Sequence, residues 1–145
     1  MRVSTKGRYA LRMLLDLAER KDEGFVPLKE IAQRQGISKQ YLEQIVSLLQ
    51  ASNMLRANRG KQGGYMLAKK PSEYTAREIL RVTEGSLAPV ACLEDDVIRC
   101  DQAPSCKTLP LWVGLGKAIM DYLDGVTLQD ILDWHETQNA DNYVI

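Results

Sequence analysis

The sequence predicts a mainly α fold with a small β-hairpin, a winged helix-turn-helix domain followed by a long dimerisation helix. Three observations carry that prediction. Gly36-Ile37-Ser38 interrupts one helical pattern and starts another; the basic loop Arg59-Gly60-Lys61-Gln62-Gly63-Gly64-Tyr65 lies between two short apolar runs; and residues 108 to 124 are apolar around much of a helix circumference. The expected division is a helix-turn-helix domain with its wing over 1–84, a cysteine-containing loop over 85–107, the dimerisation helix and a last helix over 108–136, and a flexible tail over 137–145.

The first helix starts at Ser4 or Thr5, carries an apolar face of Tyr9, Leu11, Met13, Leu14, Leu15, Leu17 and Ala18, and is expected to end at Gly24. Phe25-Val26-Pro27 leads into a short scaffold helix, with Pro27 near the first turn and Leu28, Ile31 and Ala32 at helical spacing. Gly36 suits the left-handed close of that helix and Ser38 the cap of the next. Two helices joined so closely make a helix-turn-helix. The second buries Leu42, Ile45, Val46, Leu48 and Leu49 and stops near Ser52-Asn53.

Met54-Leu55-Arg56-Ala57 and Tyr65-Met66-Leu67-Ala68 flank the glycine loop and read as a two-stranded hairpin, the wing. Thr75-Ala76-Arg77-Glu78 is a capping box that opens a helix running to Gly85. Residues 86 to 108 are irregular, with Pro89, Pro104, four acidic residues and all three cysteines. Leu111, Trp112, Leu115, Ala118, Ile119, Tyr122 and Leu123 then cover more of a helix than one small domain needs, so this is the dimerisation helix; Gly114 and Gly116 permit close approach and Gly125 closes it. Thr127-Leu128-Gln129-Asp130 caps a last helix expected to end near His135, before the polar tail.

A chain of 145 residues with 45% hydrophobic content is one ordinary globular domain. Polar residues follow Met1-Arg2 and no apolar run reaches membrane-spanning length, so neither a signal peptide nor a membrane partner is expected and the cytoplasm is the expected location. The net charge of 0 hides a dipole: residues 1 to 71 carry 14 Lys and Arg against 6 Asp and Glu, a net of +8, and residues 72 to 145 carry 5 against 13, a net of −8. A polyanion would dock on the first half.

Within that half, Ser38, Lys39, Gln40, Tyr41, Glu43 and Gln44 place donors and acceptors at the start of the second helix of the pair, where reading helices contact base edges. Arg59 and Lys61 place two cations among glycines, suited to phosphate or a minor groove. Double-stranded DNA is therefore the expected partner. An enzyme is disfavoured, because no nucleophile-base pair occurs, the glycine loop lacks the P-loop pattern and His135 is the single histidine.

Cys92, Cys100 and Cys106 are separated by seven and five residues. No Cys-x-x-Cys pair occurs, which argues against a thioredoxin-like site, and Glu94, Asp95, Asp96 and Asp101 are expected to raise the thiol pKa values. Three thiolates on one loop suit an iron-sulfur cluster, with zinc as competitor and free cytoplasmic thiols as the plain alternative.

The chain resembles the winged-helix transcription regulators that include the iron-sulfur cluster regulator IscR, the nitric-oxide sensor NsrR and the cysteine-metabolism regulator CymR. The resemblance rests on Ser4-Thr5-Lys6-Gly7-Arg8-Tyr9-Ala10, Ile31-Ala32, Gly36-Ile37-Ser38, Tyr41-Leu42-Glu43-Gln44, Arg59-Gly60, Gly63-Gly64-Tyr65 and Leu111-Trp112, and covers residues 1 to about 134. It implies a homodimer on a palindromic operator, with one recognition helix per subunit in a major groove and Arg59 of the wing toward a minor groove. It implies that Gln40, Tyr41, Glu43 and Gln44 read bases, with Glu43 the position whose preference a cluster would change. It further implies that Cys92, Cys100 and Cys106 are the ligands of an iron-sulfur cluster, 2Fe-2S in preference to 4Fe-4S. The family's fourth-ligand positions hold Leu109 and Arg8 here. The segment Ser86-Leu87-Ala88-Pro89-Val90 and the tail resemble CymR, which makes cysteine synthase a candidate partner of Tyr143, Val144 and Ile145, and a cluster-free repressor controlled by that enzyme the alternative reading.

Overall fold

The computed structural model describes residues 1–98 and 100–143, without the side chains of 95, 96 and 141–143. Helix α1 (Thr5–Glu19) opens on Ser4, whose hydroxyl oxygen accepts from the Gly7 amide at 3.3 Å. The Glu84 carboxylate in turn accepts from the Ser4 amide at 3.1 Å and hydroxyl at 2.6 Å, so the start of α1 is tied to a distant part of the chain. The helix stops at Arg20, earlier than the expected Gly24, and Lys21–Glu23 form a 3-10 turn. That turn contains no apolar residue to bury, which removes the main reason for the helix to continue.

Helix α2 (Leu28–Gln35) begins after Pro27 and closes on Gly36 at φ 64°, ψ 34°, the left-handed conformation that a residue with a Cβ disfavours. Helix α3 (Lys39–Ala51) starts three residues later, with Ser38 as its cap. The turn is thus built by a left-handed closure and a side-chain cap on either side of buried Ile37, 6% exposed.

Strands β1 (Leu55–Asn58) and β2 (Gly64–Leu67) pair antiparallel with Leu55 opposite Leu67 and Asn58 opposite Gly64. The ladder lies one residue nearer the turn on each side than the sequence pattern placed it. Met54 and Ala68 join instead through the 3.3 Å bond from the Ala68 amide to the Met54 carbonyl. Val26 adds a one-residue third strand, exchanging two 2.8 Å bonds with Tyr65. This explains Gly64, because a Cβ there would overlap the Val26 carbonyl group.

Tyr74 fastens the base of the wing. Its fully buried hydroxyl donates to the Met54 carbonyl at 2.6 Å and accepts from the amides of Ala68 at 3.0 Å and Lys69 at 3.3 Å. Burial pushes this phenol up from its ordinary value, against the smaller downward pull of the Lys69 and Ala68 amides. Helix α4 (Ala76–Glu84) follows with both halves of the capping box formed, Glu78 amide to Thr75 at 3.1 Å and Thr75 amide to Glu78 at 3.3 Å.

The core is formed by Ala10, Met13, Leu14 and Leu17 of α1, Leu28 and Ile31 of α2, and Leu42, Ile45, Val46 and Leu49 of α3, with Tyr74, Ile79 and Leu128 closing it. One charge lies inside it. Asp16, 3% exposed, accepts from Arg34 at 2.8 and 3.1 Å and from the Gln35 amide group at 2.9 Å, locking α1 to α2.

Helix α5 (Leu109–Asp124) packs on α4 and contains no buried residue, and helix α6 (Leu128–Tyr143) follows. Thr127 and Asp130 cap α6 reciprocally at 2.9 and 3.0 Å, as expected. Its first turn docks at Tyr74–Ala76 through the Leu128 amide to the Tyr74 carbonyl at 3.1 Å and the Ala76 amide to the Val126 carbonyl at 2.8 Å. The expected flexible tail over 137–145 is helical as far as Tyr143. Thr-Gln-Asn-Ala-Asp-Asn contains neither Gly nor Pro to stop a helix, and Thr137 and Asn139 each hydrogen-bond one turn back, to the Asp133 carbonyl and His135. Gly116 also differs from expectation. It faces Pro89 of its own chain, where a Cβ would sit 3.4 Å from the proline ring, whereas Gly114 meets nothing within 4 Å.

Candidate nucleic-acid interface

Ser38 holds the start of α3, its hydroxyl oxygen accepting from the Tyr41 amide at 3.1 Å. The oxygen that sequence reasoning offered to a base is therefore engaged as a cap. Lys39, Gln40, Glu43 and Gln44 are exposed around it, while Leu42, Ile45 and Val46 fix the opposite side of the helix in the core. Side-chain amides and a carboxylate projecting from the start of a helix are the groups that read base edges. Tyr41 is half-buried, its ring meeting that of Tyr9 edge-on at 5.7 Å between centroids and 85°.

The wing turn brings Arg59 and Lys61 out into solvent. Among the described residues neither takes part in an ion pair, and nor does Lys39, so these cations are free to neutralise phosphate. The glycine amides contribute less than the sequence suggested. Gly63 donates to the Gly60 carbonyl at 3.0 Å and Gly64 belongs to β2, so the glycines serve mainly to tighten the turn.

Sequence reasoning missed the inner support of this surface. Arg12 lies over the Tyr9 ring at 5.2 Å and donates to the Gln35 side chain at 3.1 Å and to the Gln35 carbonyl. Gln35 reaches Asp16 in the core. Burial acts to raise the Asp16 carboxyl, but hydrogen bonds from Arg34 and Gln35, with the charges of Arg34 and Arg20, outweigh it and hold the carboxyl below its ordinary range. A lone acid amid Leu14, Leu15 and Leu17 was the available signal; its partner was not visible along the chain.

The three cysteines do not gather into one metal-holding group. Cys92, Cys100 and Cys106 are each half-buried free thiols, and among the described residues no three His, Cys, Asp or Glu side chains are gathered so as to hold a metal. This arrangement does not fit the expected iron-sulfur cluster. The expected upward shift of the thiols also fails at Cys106. The Thr108 hydroxyl, 3.5 Å from its sulfur, and the Thr108 and Leu109 amides hold it below its ordinary value, because these local donors at the start of α5 favour the thiolate. His135 is exposed on α6, 3.2 Å from Asn139. Tyr143 ends α6, and the expected partner contacts of its side chain, Val144 and Ile145 lie outside the described residues.

A capped helix-turn-helix with an exposed polar start to its second helix, followed by a hairpin whose tip carries cations outside any ion pair among the described residues, defines a winged-helix DNA-binding regulator. The chain belongs to the Rrf2 family of iron-dependent transcriptional regulators, whose family model matches residues 3–134. It is 40% identical over 134 residues to the HTH-type transcriptional regulator CymR of Bacillus subtilis, covering 92% of this chain and 91% of that protein. The solved structure of that CymR, described as the global cysteine regulator, superposes with a TM-score of 0.77 over 92% of this chain and 98% of its own. IscR of Pectobacterium atrosepticum is 36% identical over 140 residues, covering 97% of this chain and 84% of that protein. The structure of T. potens IscR, 38% identical, superposes with a TM-score of 0.73 over 95% of this chain and 90% of its own. The relatives are transcription regulators, not enzymes.

Proposed function

We propose that this regulator acts as a homodimeric repressor on a palindromic operator, each subunit reading bases through Gln40, Tyr41, Glu43 and Gln44, with Ser38 as cap and Lys39, Arg59 and Lys61 on phosphate. The observation that carries the reading is the exposure of the polar start of α3 together with that of the wing cations Arg59 and Lys61. The homodimer is supported by the outer side of α5, where Leu111, Leu115, Ala118 and Tyr122 recur at coiled-coil spacing and are all exposed, Leu111 at 61% and Tyr122 at 65%. Genes of cysteine or iron-sulfur metabolism are the proposed targets, from the roles of the relatives.

Binding titrations on operator and random duplexes test the reading. Gln44→Ala is expected to lose about 1 to 3 kcal/mol of preference for operator, and Arg59→Ala to weaken binding to both duplexes alike. Equal losses on both duplexes for Gln44→Ala would remove Gln44 from the reading set.

Control by an iron-sulfur cluster on Cys92, Cys100 and Cys106 is a second reading, favoured by three free thiols on one segment beside α5. It requires the segment to rearrange. Iron and sulfide assay of anaerobically purified protein decides it, and iron-free protein with full operator affinity sinks it. Cysteine synthase remains a proposed partner of the C-terminus. Unchanged binding of that enzyme after deletion of Tyr143 to Ile145 would remove it.

A further inference from the structure

Of the proposed reading residues on α3, Tyr41 alone is half-buried, and its ring is held by another helix. A continuous series of contacts leads to it from the core. Asp16, 3% exposed, receives Arg34 and Gln35; Gln35 receives Arg12 on both its side-chain and backbone oxygens; the Arg12 guanidinium lies over the Tyr9 ring; and the Tyr9 and Tyr41 rings meet edge to face. Each link removes a freedom from the next. The buried carboxylate orients the Gln35 amide, Gln35 fixes the Arg12 guanidinium, and that cation holds the Tyr9 ring, which meets the Tyr41 ring edge to face.

We propose that Tyr9 on α1 is a specificity-determining positioning residue, which fixes the direction of the Tyr41 ring so that its hydroxyl is presented to the DNA before binding. The inference rests on the reading of α3 as the recognition helix. Tyr9 acts through its ring and not through its hydroxyl. A side chain ordered in advance loses little freedom on binding, so its contact discriminates between sequences; a loose one accommodates both. The partner presented to Tyr41 is a hydrogen-bonding edge of the duplex, since the phenol is a donor and acceptor on a flat apolar body.

The test is a double-mutant cycle on operator and mismatched duplexes, with melting curves confirming that each variant is folded at the assay temperature. Tyr9→Ala is expected to lower the preference for operator about 3- to 10-fold, Tyr41→Ala by a similar factor, and the double variant by little more than either alone. Tyr9→Phe, which keeps the ring, is expected to retain the preference of the unsubstituted protein. Additive losses for Tyr9→Ala and Tyr41→Ala would overturn the positioning role. So would a loss for Tyr9→Phe equal to that of Tyr9→Ala, which would make Tyr9 a direct contact. If Gln44→Ala discriminates and Tyr9→Ala does not, this inference alone fails; if neither Gln44→Ala nor Tyr41→Ala alters the preference, it fails together with the reading of α3.

Discussion

The two halves of the chain bury their apolar residues differently. Residues up to Glu84 supply nearly all of the buried hydrophobic side chains, whereas beyond them only Leu87, Val126 and Leu128 are buried among the described residues. Helix α5 has a long apolar sequence yet buries none of it fully, and a cavity of about 640 Å³ lies between α4, α5 and the loop residues Pro89, Leu93 and Ile98. The part up to Glu84 is therefore a finished core carrying the proposed reading surface. Beyond Glu84 the chain leaves Leu111, Val113, Leu115 and Tyr122 of α5 exposed, consistent with the proposed second copy.

The two parts should diverge most when one leucine is truncated in each. Leu42 is fully buried and Leu111 is 61% exposed. Leu42→Ala is expected to cost about 2 to 5 kcal/mol of folding stability, from lost burial and the cavity left behind. Leu111→Ala is expected to change the stability of an isolated subunit by less than about 0.5 kcal/mol, while raising the dissociation constant of the dimer about 10-fold or more. Chemical denaturation with sedimentation equilibrium separates the two. Similar stability losses with unchanged association would mean that α5 is an ordinary core helix.

A second difference is electrostatic. The basic half encloses a charge, Asp16 with a side chain 1% exposed beside Arg34, whereas the ion pair of Lys117 with Asp121 on α5 is exposed on both sides, at 75% and 62%. Removing one partner of a buried pair strands the other, so Asp16→Asn is expected to cost about 2 to 4 kcal/mol, with Arg34 retaining part of its hydration. Loss of the α5 pair should be barely measurable. The folded Asp16 carboxyl titrates below its ordinary value of 3.8, so on acidification the unfolded chain binds this proton first. The stabilisation is complete above that value and disappears as pH falls through the lower folded one. Stability measured against pH should show that step in the unsubstituted protein and not in Asp16→Asn.

What was legible in the sequence was local. Ser4, Gly36, Ser38, the Thr75-Glu78 box and the Thr127-Asp130 pair all act within four residues, so their spacing alone specified the helix starts and the turn. The supports of the candidate site were not legible. Tyr74 meets Met54 across 20 residues and Asp16 meets Arg34 across 18, and neither separation has a periodic signature. The cysteines show the converse: proximity along the chain did not gather them, among the described residues, into a group that could hold a metal. At the C-terminus, polar residues without Gly or Pro carry no stop signal near His135, and the helix extends to Tyr143.

The finest contrast uses one device found in both halves. Ser38 caps α3 through the Tyr41 amide at 3.1 Å, and Thr127 caps α6 through the Asp130 amide at 3.0 Å. Either substitution to alanine removes one hydrogen bond from a helix start, so each is expected to cost about 1 kcal/mol of stability. Their effects on DNA should differ. Fraying the first turn of α3 frees Lys39, Gln40 and Tyr41 together, so Ser38→Ala should weaken operator binding by more than its stability loss explains. Thr127→Ala should leave operator affinity within about 2-fold, because the first turn of α6 is joined to Tyr74 by the Leu128 amide, away from the start of α3. Measured side by side at a temperature where both variants are fully folded, equal losses of affinity would show that α3 draws its order from the whole framework rather than from its own cap.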